Sequence, residues 1–147
     1  MLTAHASGGE RMLRAAVEGA GERTGVLAVT VLTSMDLAML RAATGFTAPG
    51  ISGEVLRLAA VARAAGAHGL VCAGAECAMV RAAHGDALKP LIPGIRLGGS
   101  SADDQARVVT PAEAVRAGAV YIILGRTVTA AQDPAAVYQQ AVGELGS

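Results

Sequence analysis

A chain of 147 residues is long enough to bury one sizeable core, and a make-up that is 52% hydrophobic but only 2% aromatic, with 19 glycines, suits alanine- and valine-lined helices packed on parallel strands. The formal net charge is zero, and no basic run with interleaved aromatics offers a nucleic-acid surface. No apolar run reaches the roughly 18 residues of a membrane span and no signal-peptide core opens the chain, so a cytoplasmic protein is the expectation.

In chain order, Met1 to Ala4 reads as a strand already in progress, with no helix or loop before it, and is followed by H-A-S-G-G at His5 to Gly9. Glu10 to Glu18 carries Met12, Leu13, Ala16 and Val17 at helical spacing. Gly25 to Thr33 is a near-continuous β-branched and aliphatic run, the pattern of a strand buried on both faces. It ends in T-S-M-D, where Ser34 or Asp36 can cap a short helix through Ala43. A loop from Thr44 to Ser52 leads to a helix, Glu54 to Ala65, with Val55, Leu58, Ala59 and Ala62 on one face. Gly69 to Cys72 reads as a strand, Ala75 to Ala83 as a helix, and Leu91 to Ile92 as the start of a strand entering P-G-I-R.

The stretch from Ile92 to Arg126 organises the rest. Two short apolar strands each stop at a glycine with an arginine directly or nearly after it, and a polar loop (Leu97 to Arg107) and a short helix lie between them. That helix opens with T-P-A-E: Thr110 suits the N-cap, Pro111 the first helical position, and Glu113 closes a capping box. The second strand runs from Ala119 to Leu124, a helix signal begins near Thr129, and the last helix spans Pro134 to Leu145. Glycine, helix N-terminus and arginine together form the physical recipe for holding a phosphate.

Strand beginnings therefore fall near Leu2, Val26, Gly69, Leu91 and Ala119, with no hairpin signal between them, which implies parallel strands joined by right-handed crossovers. His5, Thr33 with Ser34, Cys72, Arg96, and Gly125 with Arg126 all fall at the C-terminal ends of strands, where α/β sheets and (β/α) barrels place their sites. A complete eight-stranded barrel needs about 250 residues. Five strands make an α/β fold of partial-barrel type.

Other candidates have plainer readings. Cys72 and Cys77 are too few, and too far from histidine partners, for a zinc site, and read as reduced thiols in the core. His5 reads as a packed strand-end histidine, and His68 and His84 as solvated residues of helix-to-strand connections. Met35, Met39 and Met79 read as core filler. Without further context, Arg96 and Arg126 could be surface residues paired with Asp103, Asp104 or Asp133.

The motifs A-H-A-S-G-G, V-T-V-L-T-S-M-D, P-G-I-R, D-Q-A-R-V-V-T-P-A-E-A and L-G-R-T-V-T, in that order over essentially the whole chain, resemble the C-terminal part of bacterial orotidine 5'-phosphate decarboxylase. That family is a TIM barrel that converts orotidine 5'-phosphate to uridine 5'-phosphate and carbon dioxide in pyrimidine biosynthesis, without a cofactor and as a homodimer. The resemblance implies a partial TIM (β/α)8 barrel over residues 1–147, with the first three strands absent. It places Thr33 and its neighbour Ser34 at the pyrimidine, and Arg96, Gln105, Gly125 and Arg126 around the phosphate.

The family's chemistry rests on an aspartate and a lysine on early strands and a D-x-K-x-x-D motif on the third, where the lysine supplies the proton that replaces carbon dioxide. This chain contains none of them. Its only lysine is Lys89, beside Pro90 at the wrong end of a strand, and Asp103 and Asp104 stand where the family more often has Gly-Asp. A positioned general acid is usually worth about 10²–10⁴ in rate. The expectation is a substrate-binding portion without catalytic residues, completed by self-association or by a complementary N-terminal segment. The alternatives are a non-catalytic half-barrel that binds phosphorylated ligands or a partner chain, and a related sugar-phosphate decarboxylase or aldolase.

Overall fold

The computed structural model describes residues 1–45, 50–97 and 108–146. Five strands, β1 (Leu2–His5), β2 (Val26–Val29), β3 (Gly69–Val71), β4 (Lys89–Ile92) and β5 (Tyr121–Ile122), form one parallel sheet in sequence order. The helices are α1 (Gly9–Ala20), α2 (Leu37–Thr44), α3 (Ile51–Ala64), α4 (Gly74–His84), α5 (Pro111–Arg116), α6 (Arg126–Thr129) and α7 (Pro134–Glu144). The α/β class and the five parallel strands are as the sequence predicts. In the helix layer α1 contacts α3, α3 contacts α4, α4 contacts α5, and α5 contacts α7.

The core lies between this layer and the sheet. Ala28, Leu70 and Ile92 from the strands meet Leu13 of α1, Val55, Leu58, Ala59 and Ala62 of α3, Cys77 and Val80 of α4, and Ala114 of α5. The predicted apolar face of α3 is thus buried in full. β3 and β4 approach so closely that a Cβ on Gly69 would lie 2.1 Å from the Lys89 carbonyl oxygen, so no side chain fits there.

Capping chemistry sets several boundaries. Asp36 caps α2, accepting from the Met39 N–H at 2.8 Å, and Ser34 lies before it in the turn. Thr110 and Glu113 form the expected capping box on α5, with Pro111 in its first turn. Asp133 caps α7 by accepting from the Ala136 N–H at 2.9 Å, which gives that carboxylate a role other than pairing with an arginine.

Other boundaries differ from the sequence reading. β2 ends at Val29, well short of Thr33. Thr30 still donates its N–H (3.2 Å) and its hydroxyl (2.7 Å) to the Val71 carbonyl, but β3 stops there and the chain beyond Thr30 has no strand to follow. β4 begins at Lys89 and tolerates Pro90, whose carbonyl accepts from the Val120 N–H at 3.0 Å. β5 is far shorter than Ala119 to Leu124 because it has a partner on one side only. The helix expected to begin near Thr129 instead ends there, having started directly after Gly125. α3 starts three residues before Glu54, so the predicted loop ends at Gly50.

Candidate functional site

The C-terminal ends of β4 and β5 converge on one cleft. Leaving Ile92, the chain turns through Pro93 and Gly94, whose φ of +74° is a conformation glycine adopts without steric cost. Ile95 then makes an isolated parallel bridge to Val109, and the Arg96 N–H donates to the Val109 carbonyl at 3.0 Å. The backbone on both sides of Ile95, up to the Arg96 N–H, is therefore held. Arg96 itself is only 8% exposed.

The guanidinium is held as well. Arg96 Nη1 donates to the Ile95 carbonyl and to Thr127 Oγ1, each at 3.0 Å. Thr127 Oγ1 in turn donates to the same Ile95 carbonyl at 2.8 Å. This triangle ties the end of β4 to α6.

From the other strand, Gly125 serves as the N-cap of α6, and its carbonyl accepts from the N–H groups of Val128 (3.0 Å) and Thr129 (3.1 Å). A Cβ built on Gly125 would meet nothing within 4 Å, so the backbone here borders open space. Arg126, the first helical residue, is exposed. Pro93, Gly94, Arg96, Ile123, Gly125 and Arg126 line a cleft of about 180 Å³. Both charged groups in that lining are guanidiniums, each a planar fork of donors. Such a lining accepts a tetrahedral oxyanion.

The structure thus brings together three of the predicted site residues, Arg96, Gly125 and Arg126. Thr33 and Ser34 sit in the turn after β2, the first half-buried and the second exposed, and do not line this cleft. They follow the C-terminal end of β2, at the same end of the sheet as the cleft and two strand positions from β4. Gln105, like Asp103 and Asp104, lies outside the described residues. The sequence reading did not single out Thr127. Its signal was a hydroxyl directly after the Gly-Arg pair, but the bond it makes spans more than thirty residues.

Elsewhere the functional readings are plainer. Lys89 opens β4 at the end opposite the cleft. At that same end His68 is not the solvated residue expected, since its Nε2 lies 3.0 Å from the Tyr121 hydroxyl. Burial, then the charges of Lys89 and the N-terminal amine, lower its pKa below the ordinary value. His84 is likewise part-buried, with Nδ1 out of contact with solvent and its pKa lowered mainly by burial. Met39 is half-exposed on α2 and does not fill the core, whereas Met35 and Met79 pack against it. Cys72 and Cys77 are buried thiols outside any disulfide, and burial pushes the Cys77 pKa up to about 11. Among the described residues no three His, Cys, Asp or Glu side chains gather as a metal site, and no helix is long and apolar enough to cross a membrane.

The comparisons with known proteins converge. The model of the orotidine 5'-phosphate decarboxylase / HUMPS family matches residues 1–141. Among curated relatives, the orotidine 5'-phosphate decarboxylase of Anaeromyxobacter dehalogenans is 54% identical over 136 residues, which cover 92% of this chain and 59% of that protein. That of Thermobifida fusca is 49% identical over 144 residues, covering 98% of this chain and 60% of the relative. Among solved structures, orotidine 5'-phosphate decarboxylase from Lactobacillus acidophilus superposes with a TM-score of 0.84 at 31% identity, covering 100% of this chain and 64% of that one. The Sulfolobus solfataricus enzyme, at 19% identity and a TM-score of 0.63, shares the fold. The chain spans about 60% of the length of the curated relatives it matches, and its five-stranded sheet is a partial (β/α) barrel of their type. This chain belongs to the orotidine 5'-phosphate decarboxylase / HUMPS family.

Proposed function

We propose that residues 1–147 are the phosphate- and pyrimidine-binding portion of an orotidine 5'-phosphate decarboxylase, the part that follows the first three strands of the barrel. The observation that carries this reading is the cleft in which Arg96, Gly125 and Arg126 meet at the ends of adjacent strands, in a chain of this family. The two guanidinium forks hold the phosphate oxygens, and Gly125 lets the backbone come close to them. Thr33 and Ser34 offer hydroxyls at the same end of the sheet for the base of a nucleotide whose phosphate fills the cleft. Gln105 bridges base and phosphate. Binding energy gathered at the phosphate is then available to the distant reacting carbon, because closure over the remote group can be coupled to the chemical step.

The lysine that protonates the product carbon and the carboxylates that hold it come, in this reading, from a complementary segment. β1 and β5 each have one sheet neighbour, so each presents an unpaired backbone edge. Beside β5 an apolar groove of about 280 Å³ runs between Ile122, Leu124, Tyr138 and Val142, and Leu2, Val120 and Ile123 are also exposed. A segment supplying three further strands would cover these edges. Self-association of the chain is the other way to cover them. The setting is cytoplasmic, as for other nucleotide biosynthesis.

A second reading, a non-catalytic half-barrel that binds phosphorylated ligands, is favoured by Lys89, the chain's only lysine, lying at the end opposite the cleft. Both readings predict phosphate-dependent binding. Calorimetric titration with uridine 5'-phosphate, uridine and ribose 5-phosphate tests it: the nucleotide is expected to bind best and the nucleoside far more weakly. Equal affinity for uridine and its phosphate, or none for either, would overturn the assignment. Preference for ribose 5-phosphate would point to a sugar-phosphate enzyme.

A further inference from the structure

We propose that Thr127 is a positioning residue for Arg96, and that its hydroxyl fixes the plane in which the guanidinium meets a phosphate. The inference rests on the reading of the cleft as a phosphate site and adds to it a residue with no place in that reading so far.

An arginine recognises an oxyanion well when its fork is already oriented, because less rotamer freedom is then lost on binding. Arg96 is buried, yet burial alone leaves rotation about its terminal torsions. The hydrogen bonds remove it. Nη1 carries two N–H groups, and one goes to the Ile95 carbonyl while the other goes to Thr127 Oγ1. The threonine hydroxyl has a single proton, and that proton is committed to the Ile95 carbonyl at 2.8 Å. Its oxygen is therefore obliged to accept from Arg96, with no competing orientation that keeps both bonds. The Ile95 carbonyl uses its two lone pairs on the same two partners.

The backbone position of each corner is independently set. Ile95 is bridged to Val109, and the Arg96 N–H is bonded across the same pair. Thr127 sits inside the first turn of α6, one residue after Arg126 and two after Gly125. One hydroxyl thus links the buried arginine of the β4 end to the glycine and exposed arginine of the β5 end, and the three groups lining the cleft become one unit. A valine has the same shape but no hydroxyl, and serine keeps the hydroxyl with one methyl fewer.

The test compares the full chain with its Thr127→Val, Thr127→Ser and Arg96→Met variants. The first measurement is the ¹⁵N spectrum of the arginine side chains, which needs no ligand. In the parent and in Thr127→Ser the Arg96 guanidinium is expected to show slowly exchanging, rotationally restricted N–H signals, and in Thr127→Val these are expected to be averaged. The second is affinity for uridine 5'-phosphate. Thr127→Val is expected to weaken it about 3- to 10-fold, the range of one ordinary hydrogen bond, with Thr127→Ser close to the parent. In the Arg96→Met background the Thr127→Val effect is expected to vanish, a coupling that general loosening of the fold would not produce.

Restricted Arg96 signals that survive in Thr127→Val would overturn the inference, as would an undiminished loss of affinity in the Arg96→Met background. A parent chain that binds no uridine 5'-phosphate would instead overturn the phosphate reading, and the spectrum would still decide whether Thr127 orients Arg96.

Discussion

Arg126 gives the sharpest separation of binding from folding. It is exposed, and it stands at the first position of α6, where it lines the cleft without filling the core. Replacement by alanine is therefore expected to change stability by less than about 0.5 kcal/mol. Its contribution to a bound phosphate is that of charge-assisted hydrogen bonds, about 1.5–3 kcal/mol, which corresponds to roughly a 10- to 150-fold loss of affinity for uridine 5'-phosphate. Because the group is exposed, the loss should lie near the lower figure at physiological salt, although direct contact falls well inside the Debye length of about 8 Å. Arg126→Lys keeps the charge but loses the fork, and should fall between the parent and the alanine variant. The assay is calorimetric titration with uridine 5'-phosphate and uridine, alongside thermal melts of each variant. The reasoning would be refuted if Arg126→Ala bound the nucleotide as tightly as the parent, or if uridine and its phosphate lost affinity in equal proportion.

Two further outcomes follow from the fold. Gly69→Ala places a Cβ 2.1 Å from the Lys89 carbonyl oxygen, a backbone atom that moves only if β3 and β4 separate. Overpacking of this kind costs about 1–3 kcal/mol or more, and a melting-temperature drop of about 3 to 10 °C is expected, whereas a drop of less than a degree would contradict the strand packing. His68 and His84 both have lowered pKa values, so just below the ordinary 6.5 the unfolded chain binds more protons than the folded one. Stability should hold above that pH and decline as pH falls through it toward the lowered values, which urea midpoints at pH 7.5 and pH 5.5 will show. An unchanged midpoint would mean that neither histidine is held neutral by the fold.

Much of this architecture was legible in the sequence because it rests on local signals. The β/α alternation, the Thr110–Glu113 capping box, the Asp36 cap and the apolar face of α3 each depend on residues a few positions apart. That Arg96, Gly125 and Arg126 share one end of the sheet was legible because each follows closely on a short apolar strand run. What escaped depended on neighbours distant in sequence. β2 ends at Val29 because β3 is short, a fact invisible in the uninterrupted aliphatic run through Thr33. The fourth strand was read from Leu91, yet it begins at Lys89, and the Pro90 carbonyl serves the neighbouring strand. The start of α6 lacked a Ser, Thr, Asp or Asn cap, so the helix was read from the threonine that in fact ends it. The His68–Tyr121 contact joins residues on either side of β4 at the far end of the sheet, and no spacing along the chain announces it.

The same geometry separates the two roles a decarboxylase must combine. The groups proposed to hold the substrate lie after the C-terminal ends of β2, β4 and β5, whereas Lys89 lies at the opposite end. In the proposed reading binding belongs to this chain and proton transfer to a complementary segment, and restoring the second is the strictest test of the first. The direct measurement is to mix the chain with a polypeptide carrying the lysine and the D-x-K-x-x-D segment of the first three barrel strands, and to follow carbon dioxide release from orotidine 5'-phosphate. The decarboxylase reading predicts activity in the mixture alone, reduced about 10-fold or more by Arg126→Ala with limiting substrate. A mixture that associates and binds uridine 5'-phosphate yet releases no carbon dioxide would contradict it, and would leave the half-barrel as a binder of phosphorylated ligands.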